Sequence, residues 1–330
     1  AVITSYFFRG TDVLFSFELL DAWRVKDIVF YVLLGLATGI ASVYFSKMYF
    51  LITRFFSRFS NAYIKIGIAA IAIGFMLYLF PPLYGEGYGL INNLLNGNTE
   101  VALSGIQYQI DFNNIWMVIV ILLIIAVFKA IAMTTTFAAG GVGGIFIPTL
   151  FMGSALGNAV AKVINQFGFV VSEANFTLLG MTGLMAGVLH APLTAIFLIA
   201  EITGGYDLFV PLMLVATISF GFTKYFVPNS IYTAELAKRG ELITNDKDKN
   251  ALMMLNIDRV IETDFIKIST EMTLGEMLKK GVSKSSRNIF PVVDEAEQFL
   301  GIVLLDDVRS VMFDQSLYEN TTVSLFMKSP

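Results

Sequence analysis

The chain has 330 residues, of which 56% are hydrophobic and only 15% charged, where a soluble domain is about one quarter charged. Its net charge is −4, with one histidine and no cysteine. This is the composition of a membrane protein over most of its length. It excludes disulfides, thiolate metal sites and a histidine-built zinc centre, and without a basic block it gives no support to a nucleic-acid partner.

The opening residues, AVITSYFFRG, show neither an initiator Met nor a signal-peptide pattern and read as the tail of a helix already under way. With the abrupt SLFMKSP end, they predict a fragment cut at both ends. Ile28–Ser46 is an uninterrupted apolar run long enough to span a bilayer. Ile66–Phe80 is a second, shorter run stopped by Pro81-Pro82, and Arg54, Arg58 and Lys65 between the two favour the cytoplasmic side. A glycine-rich break, Tyr84–Gly89 (YGEGYG), precedes an amphipathic stretch at Leu90–Asn96. Ile115–Met133 is the strongest span, with Lys129 expected to pair, face protein or snorkel. Thr134–Gly144 is polar and glycine-rich. Phe146–Val163 carries Gly153, Ala155, Gly157 and Ala159, spacings that let helices approach closely. Phe176–Ala200 is two short apolar segments split at His190-Ala191-Pro192, and Leu208–Val227 closes the membrane part.

Past the charged stretch Asn245–Asn250 the sequence becomes ordinary soluble sequence. This predicts a membrane unit at 1–240, a linker at 241–256 and a soluble unit at 257–330. Val260–Ile268 reads as a strand or extended entry, Thr273–Lys280 as a helix, Asn288–Val293 and Phe299–Leu304 as strands joined by a turn at Asp294-Glu295, and Asp306–Phe313 as the start of a second helix.

Short, interrupted helices beside hydrocarbon must be buried in protein or line a polar cavity, and such breaks are typical of mid-membrane ion sites. Gly140–Leu150 (GGVGGIFIPTL) is the sharpest break. Pro148 suits the first turn of a helix beginning at or near it. The free N–H groups of Ile145, Phe146 and Ile147 then face a cavity at the positive end of that helix and favour an anion. There is no carboxylate to hold a cation and no lysine to make a P-loop. The pattern alone leaves a tight packing bend open as the alternative. Tyr232 can donate one uncharged hydrogen bond to an anion or act as an interfacial aromatic anchor.

Gly143–Pro148 (GGIFIP), Gly187–Glu201 (GVLHAPLTAIFLIAE) and Ser230–Ala237 (SIYTAELA), in this order, resemble the second half of the CLC chloride channel and chloride/proton antiporter family. The soluble tail resembles the CBS regulatory domain that often follows, with one copy nearly whole and a second begun at Val323–Pro330. The resemblance implies an α-helical polytopic membrane protein of the broken-helix CLC type, here partial, with a C-terminal α/β CBS domain. It implies chloride held centrally by the N–H groups of Ile145 and Phe146 and the hydroxyl of Tyr232, an outer site at Phe146 and Ile147, and Gly143, Gly144 and Pro148 forming the filter loop and helix start. It further implies chloride/proton antiport in the full-length protein, with a passive channel as the alternative. Its partners are chloride ions, protons and lipid, as a homodimer in a bacterial inner membrane with the tail cytoplasmic. A membrane sensor or scaffold without transport is the reading from a different class. No clustered nucleophile, base and orienting group marks an enzyme.

The family's first-half serine, gating glutamate and proton-relay glutamate have no match in this sequence. Glu201 is the second-half counterpart of the relay motif and reads as a helix end, Glu86 does not match the gating position, and His190 reads as a loop end. No cofactor is expected in the membrane part. An adenine nucleotide at a complete CBS pair would meet Asp307 as the ribose-contacting carboxylate, but Leu304 stands where a nucleotide-binding copy often has a threonine or serine.

Overall fold

The computed structural model describes residues 23–108, 110–203, 206–239, 241–243, 248 and 261–329. The chain divides into two compact units, Ala1–Leu242 and Ile243–Pro330. The expected helix tail at Ala1–Gly10, most of the linker 241–256 and Val260 lie outside the described residues.

The described part of the first unit is helical. The helices of six residues or more are α1 (Ile28–Phe56), α2 (Ala62–Leu79), α3 (Tyr88–Leu95), α4 (Ile115–Ala138), α5 (Phe146–Gln166), α6 (Glu173–Leu189), α7 (Pro192–Thr203), α8 (Phe209–Phe226) and α9 (Ala234–Arg239). Among the described residues, α1 (with the preceding turn), α2, α4, α5 and α8 are long and apolar enough to cross a membrane. The protein is an integral membrane protein.

Local chemistry sets the ends. Asn61 accepts from Tyr63 N–H at 2.9 Å to start α2, and Ser172 accepts from Asn175 N–H at 3.4 Å to start α6. Pro81 and Pro82 follow α2, whose last turn is closed by Phe80 N–H donating to the Met76 carbonyl. His190 ends α6 in the left-handed region at φ 56°, and Pro192 opens α7. The polar stretch after Met133 breaks the helix later than expected. Thr134 and Thr136 donate to the carbonyls of Ala130 and Ala132 at 2.7 and 2.9 Å, so their hydroxyls are satisfied on the helix itself and α4 runs to Ala138.

The core lies around α5 and α6. In α5 72% of the apolar span is buried, against 11% in α2, so α5 is enclosed by protein while α2 leaves most of its surface to lipid. A Cβ on Gly153 would meet the Gly180 carbonyl oxygen at 2.5 Å, and one on Gly180 would meet Gly157 Cα at 2.8 Å. The two helices therefore touch backbone to backbone, as the small-residue spacing predicts. Lys162 and Glu173 form an ion pair at 2.5 Å across the same two helices. Asn165 closes their connection by accepting from Val171 N–H at 2.8 Å and donating to its carbonyl at 3.2 Å.

The second unit holds a three-stranded sheet in the order β1 (Ile268–Ser269), β2 (Ile289–Val293), β3 (Phe299–Leu304). β1 runs parallel to β2, and β2 antiparallel to β3. The predicted strands at 288–293 and 299–304 are present. The predicted first strand or extended entry forms only a two-residue strand among the described residues. The first helix, α10 (Leu274–Met277), continues directly as a π-helix over Leu278–Val282, close to the predicted span, while the second, α11 (Leu305–Val308), is short and continued by turns. Pro291 is tolerated in the central strand because its partner Ile302 exchanges both backbone hydrogen bonds with Lys328 instead, at 3.0 and 2.9 Å. Phe290, Val292, Val303, Leu274, Met277 and Val308 fill the core between sheet and helices.

Candidate functional site

The glycine stretch performs two jobs. Gly140 takes φ +99°, Gly140 N–H donates to the Phe137 carbonyl at 3.0 Å, and Gly141 N–H donates to the Thr136 carbonyl at 2.9 Å. This pair of bonds is the Schellman closure of α4. Gly143 and Gly144 are different. Neither has a left-handed φ, a Cβ at Gly143 would make only an ordinary 3.6 Å contact with Phe137, and one at Gly144 would meet nothing within 4 Å.

α5 begins at Phe146, two residues before Pro148, which stands third in the first turn. Proline there withholds an N–H that would have no intrahelical partner. The first intrahelical bond is from Thr149 N–H to the Ile145 carbonyl, at 3.1 Å. Among the described residues, no backbone carbonyl accepts from the N–H groups of Ile145, Phe146 or Ile147. They sit at the positive end of a 21-residue helix.

A cavity of about 550 Å³ adjoins this helix start, lined by Gly143, Gly144, Phe146, Ile147 and Pro148. The Ile145 side chain is buried. Tyr232 is exposed in the turn before α9 and does not belong to the cavity lining. The structure thus places Gly143, Gly144, Phe146, Ile147 and Pro148 on one cavity and leaves Tyr232 apart from it.

Two further groups line the cavity, Lys129 of α4 and Glu86 of the YGEGYG loop. Lys129 is 4% exposed. It neither snorkels nor pairs with a carboxylate among the described residues. It donates to the carbonyls of Leu83 at 3.0 Å and Gly85 at 2.8 Å, and stands 4.4 Å from the centre of the Phe151 ring. Gly87 is needed beside it, since it has φ +86° and a Cβ would lie 2.6 Å from Phe151 Cε2. The sequence signal for this group is an intramembrane lysine; the two carbonyls it donates to lie more than 40 residues away and carry no signal of their own.

The other singled-out residues lie apart. Glu201 is exposed near the end of α7 and accepts from the Tyr206 hydroxyl at 3.3 Å. His190 packs edge-on against Phe220. Among the described residues, no group of three or more His, Asp or Glu side chains is placed to hold a metal ion. In the second unit Asp307 is engaged by Lys328, whose Nζ lies 2.8 Å from each carboxylate oxygen. Leu304 precedes α11 without a side-chain cap.

Residues 1–224 match the family described as voltage gated chloride channel. The chain belongs to that family. Residues 257–314 match the CBS domain. Among relatives, the chloride channel protein CLC-f of Arabidopsis thaliana is 24% identical over 94% of this chain and 45% of its own length. The H(+)/Cl(-) exchange transporter ClcA of Yersinia pestis is 26% identical over 72% of this chain and 48% of its own. The chain spans about half the length of the curated relatives it matches. Among solved structures, a slow cyanobacterial Cl−/H+ antiporter matches with a TM-score of 0.58 at 23% identity, covering 72% of this chain and 53% of that one. A eukaryotic CLC transporter matches with a TM-score of 0.54 at 18% identity, covering 88% and 51%. These two likenesses show the fold: broken membrane helices of the CLC type.

Proposed function

We propose that this voltage gated chloride channel family member carries the anion-holding part of a transmembrane chloride transporter working by chloride/proton exchange. One observation carries the reading: three consecutive N–H groups, at Ile145, Phe146 and Ile147, open the buried helix α5 beside a cavity, and among the described residues no backbone carbonyl accepts from them. Such a cradle holds a small anion by partial charges and lets it leave, which conduction requires. In this reading the N–H groups of Ile145 and Phe146 hold a central chloride and those of Phe146 and Ile147 an outer one, while Tyr232, apart from the cavity lining, is assigned to neither. The exchange mechanism is supported by the relative named as an H(+)/Cl(-) exchange transporter. The relative named as a chloride channel favours passive conduction as the second reading.

The protein works as a homodimer in a bacterial inner membrane, with the CBS region (257–330) cytoplasmic and joined through 241–256. That region is assigned a regulatory role, and Lys328 engages Asp307, the carboxylate that a nucleotide's ribose would meet. The test is to reconstitute the natural gene product in liposomes and record chloride and proton movement together. Proton uptake coupled to chloride efflux is the expected result. Chloride flux without protons establishes the passive channel, and no chloride flux with no chloride binding leaves only the sensor or scaffold reading.

A further inference from the structure

Lys129 is a buried ammonium on the wall of the cavity that holds the helix start of α5. Among the described residues no carboxylate lies within ion-pair distance of it. A buried charge is retained only where hydrogen bonds or a partner stabilise it. Here two backbone carbonyls, of Leu83 and Gly85, and the face of Phe151 do so. These are neutral groups, so none of the lysine's direct contacts cancels its positive charge and its field extends into the cavity, where Glu86 lines the same wall. Phe151 stands on α5, one turn past the free N–H groups, so the same contacts tie the YGEGYG loop to the helix that carries the cradle.

We infer that Lys129 is a positioning and affinity-setting residue for the anion, raising the cavity's hold on chloride through its field without touching the ion. The inference rests on the proposed anion site at the start of α5. A cavity of about 550 Å³ is roughly 10 Å across, and over that distance, at an effective dielectric constant of about 20, a unit charge changes anion affinity by about tenfold. Glu86 lines the same cavity with a charge of opposite sign, so Lys129 offsets its repulsion of an anion and removal of the lysine leaves that repulsion unopposed.

The experiment is calorimetric titration of chloride into the 330-residue chain in lipid nanodiscs. Three variants are compared. Lys129→Met removes the charge and keeps the stem. Lys129→Arg keeps the charge. Phe151→Leu loosens the packing of the loop and keeps the charge. The expected result is about tenfold weaker chloride binding in Lys129→Met, with Lys129→Arg and Phe151→Leu within about threefold of the unaltered chain. The inference is overturned if Lys129→Met binds as the unaltered chain does. It is also overturned if Lys129→Arg and Phe151→Leu lose as much affinity as Lys129→Met, because the role is then packing alone. Absence of chloride binding to the unaltered chain overturns the proposed anion site itself, and the inference with it.

Discussion

Gly143 and Gly144 offer the sharpest separation of an anion cradle from a packing bend. Nothing in the protein demands glycine at either position: neither has a left-handed φ, and an added Cβ meets Phe137 at 3.6 Å in one case and open space in the other. Replacing both by alanine restricts the unfolded chain at no steric cost, so it should stabilise the fold by about 0.4–1 kcal/mol per site. Both positions line the cavity beside the start of α5, however, so in the cradle reading the two new methyl groups take up space there and hinder an anion from seating. Loss of one hydrogen bond to a charged acceptor costs about 1.5–3 kcal/mol, or about ten- to a hundredfold in affinity. The expected signature of Gly143→Ala/Gly144→Ala is therefore a more stable protein that binds chloride more weakly. Gly140→Ala/Gly141→Ala is the contrast. It forces a side chain into φ +99° and places a Cβ 2.7 Å from Thr136 Cγ2, and it should cost stability by about 1–3 kcal/mol. Thermal unfolding and chloride titration of both variants in nanodiscs read the two quantities separately. If the 143/144 variant binds chloride as tightly as the unaltered chain, the cradle assignment is wrong and the loop is a bend.

Three other perturbations follow from the packing and the charges. Gly180→Ala puts a methyl into the backbone contact with α5 and should destabilise by about 1–3 kcal/mol in a detergent-unfolding assay, where a change under 0.5 kcal/mol would contradict the direct helix contact. Lys162→Met strands Glu173 and should cost about 2–4 kcal/mol, discounted because the Glu173 side chain is 29% exposed; adding Glu173→Leu should recover part of that loss, and strictly additive effects would show that the pair is not coupled. In the second unit, the Lys280 ammonium at 2.7 Å, and then Thr273, hold the Glu276 carboxyl below its ordinary 4.5. A depressed folded value means that this contribution is fully present above about pH 4.5 and fades as pH falls through the lowered value, so exchange protection of the Glu276 amide should drop with acid in the natural chain, and a flat profile there would refute the linkage.

The apolar spans were legible because span length and composition are local properties: Ile115 and Phe146 start helices where the runs begin. Helix ends were less so. Thr134 and Thr136 look like breakers in a string of letters, yet a threonine hydroxyl bonded to the carbonyl four residues back lets the helix continue. The five-residue GGVGG motif read as one unit, whereas the structure divides it into a capping pair and an unconstrained pair. That distinction depends on φ and on Thr136 and Phe137, which no composition reveals. Lys129 was visible as an intramembrane charge but not as the anchor of the Leu83–Gly87 loop, because the carbonyls it binds are backbone atoms without a residue signature. The separation of Tyr232 from the cavity lining likewise belongs to the tertiary arrangement.

The manner in which Lys129 is satisfied bears on transport as well as on stability. An ammonium that bonded the anion directly would add a charge-assisted hydrogen bond and slow its release. Here two of its three donors go to the carbonyls of Leu83 and Gly85 and the aromatic face of Phe151 lies against it. In the proposed reading the charge acts at a distance, through a field across the cavity, and the partial charges of the helix start hold the ion. Attraction and grip are thus assigned to different groups. Loss of Lys129 should change how readily the anion arrives and how much is bound, whereas loss of the open space at Gly143 and Gly144 should change whether it can seat at all.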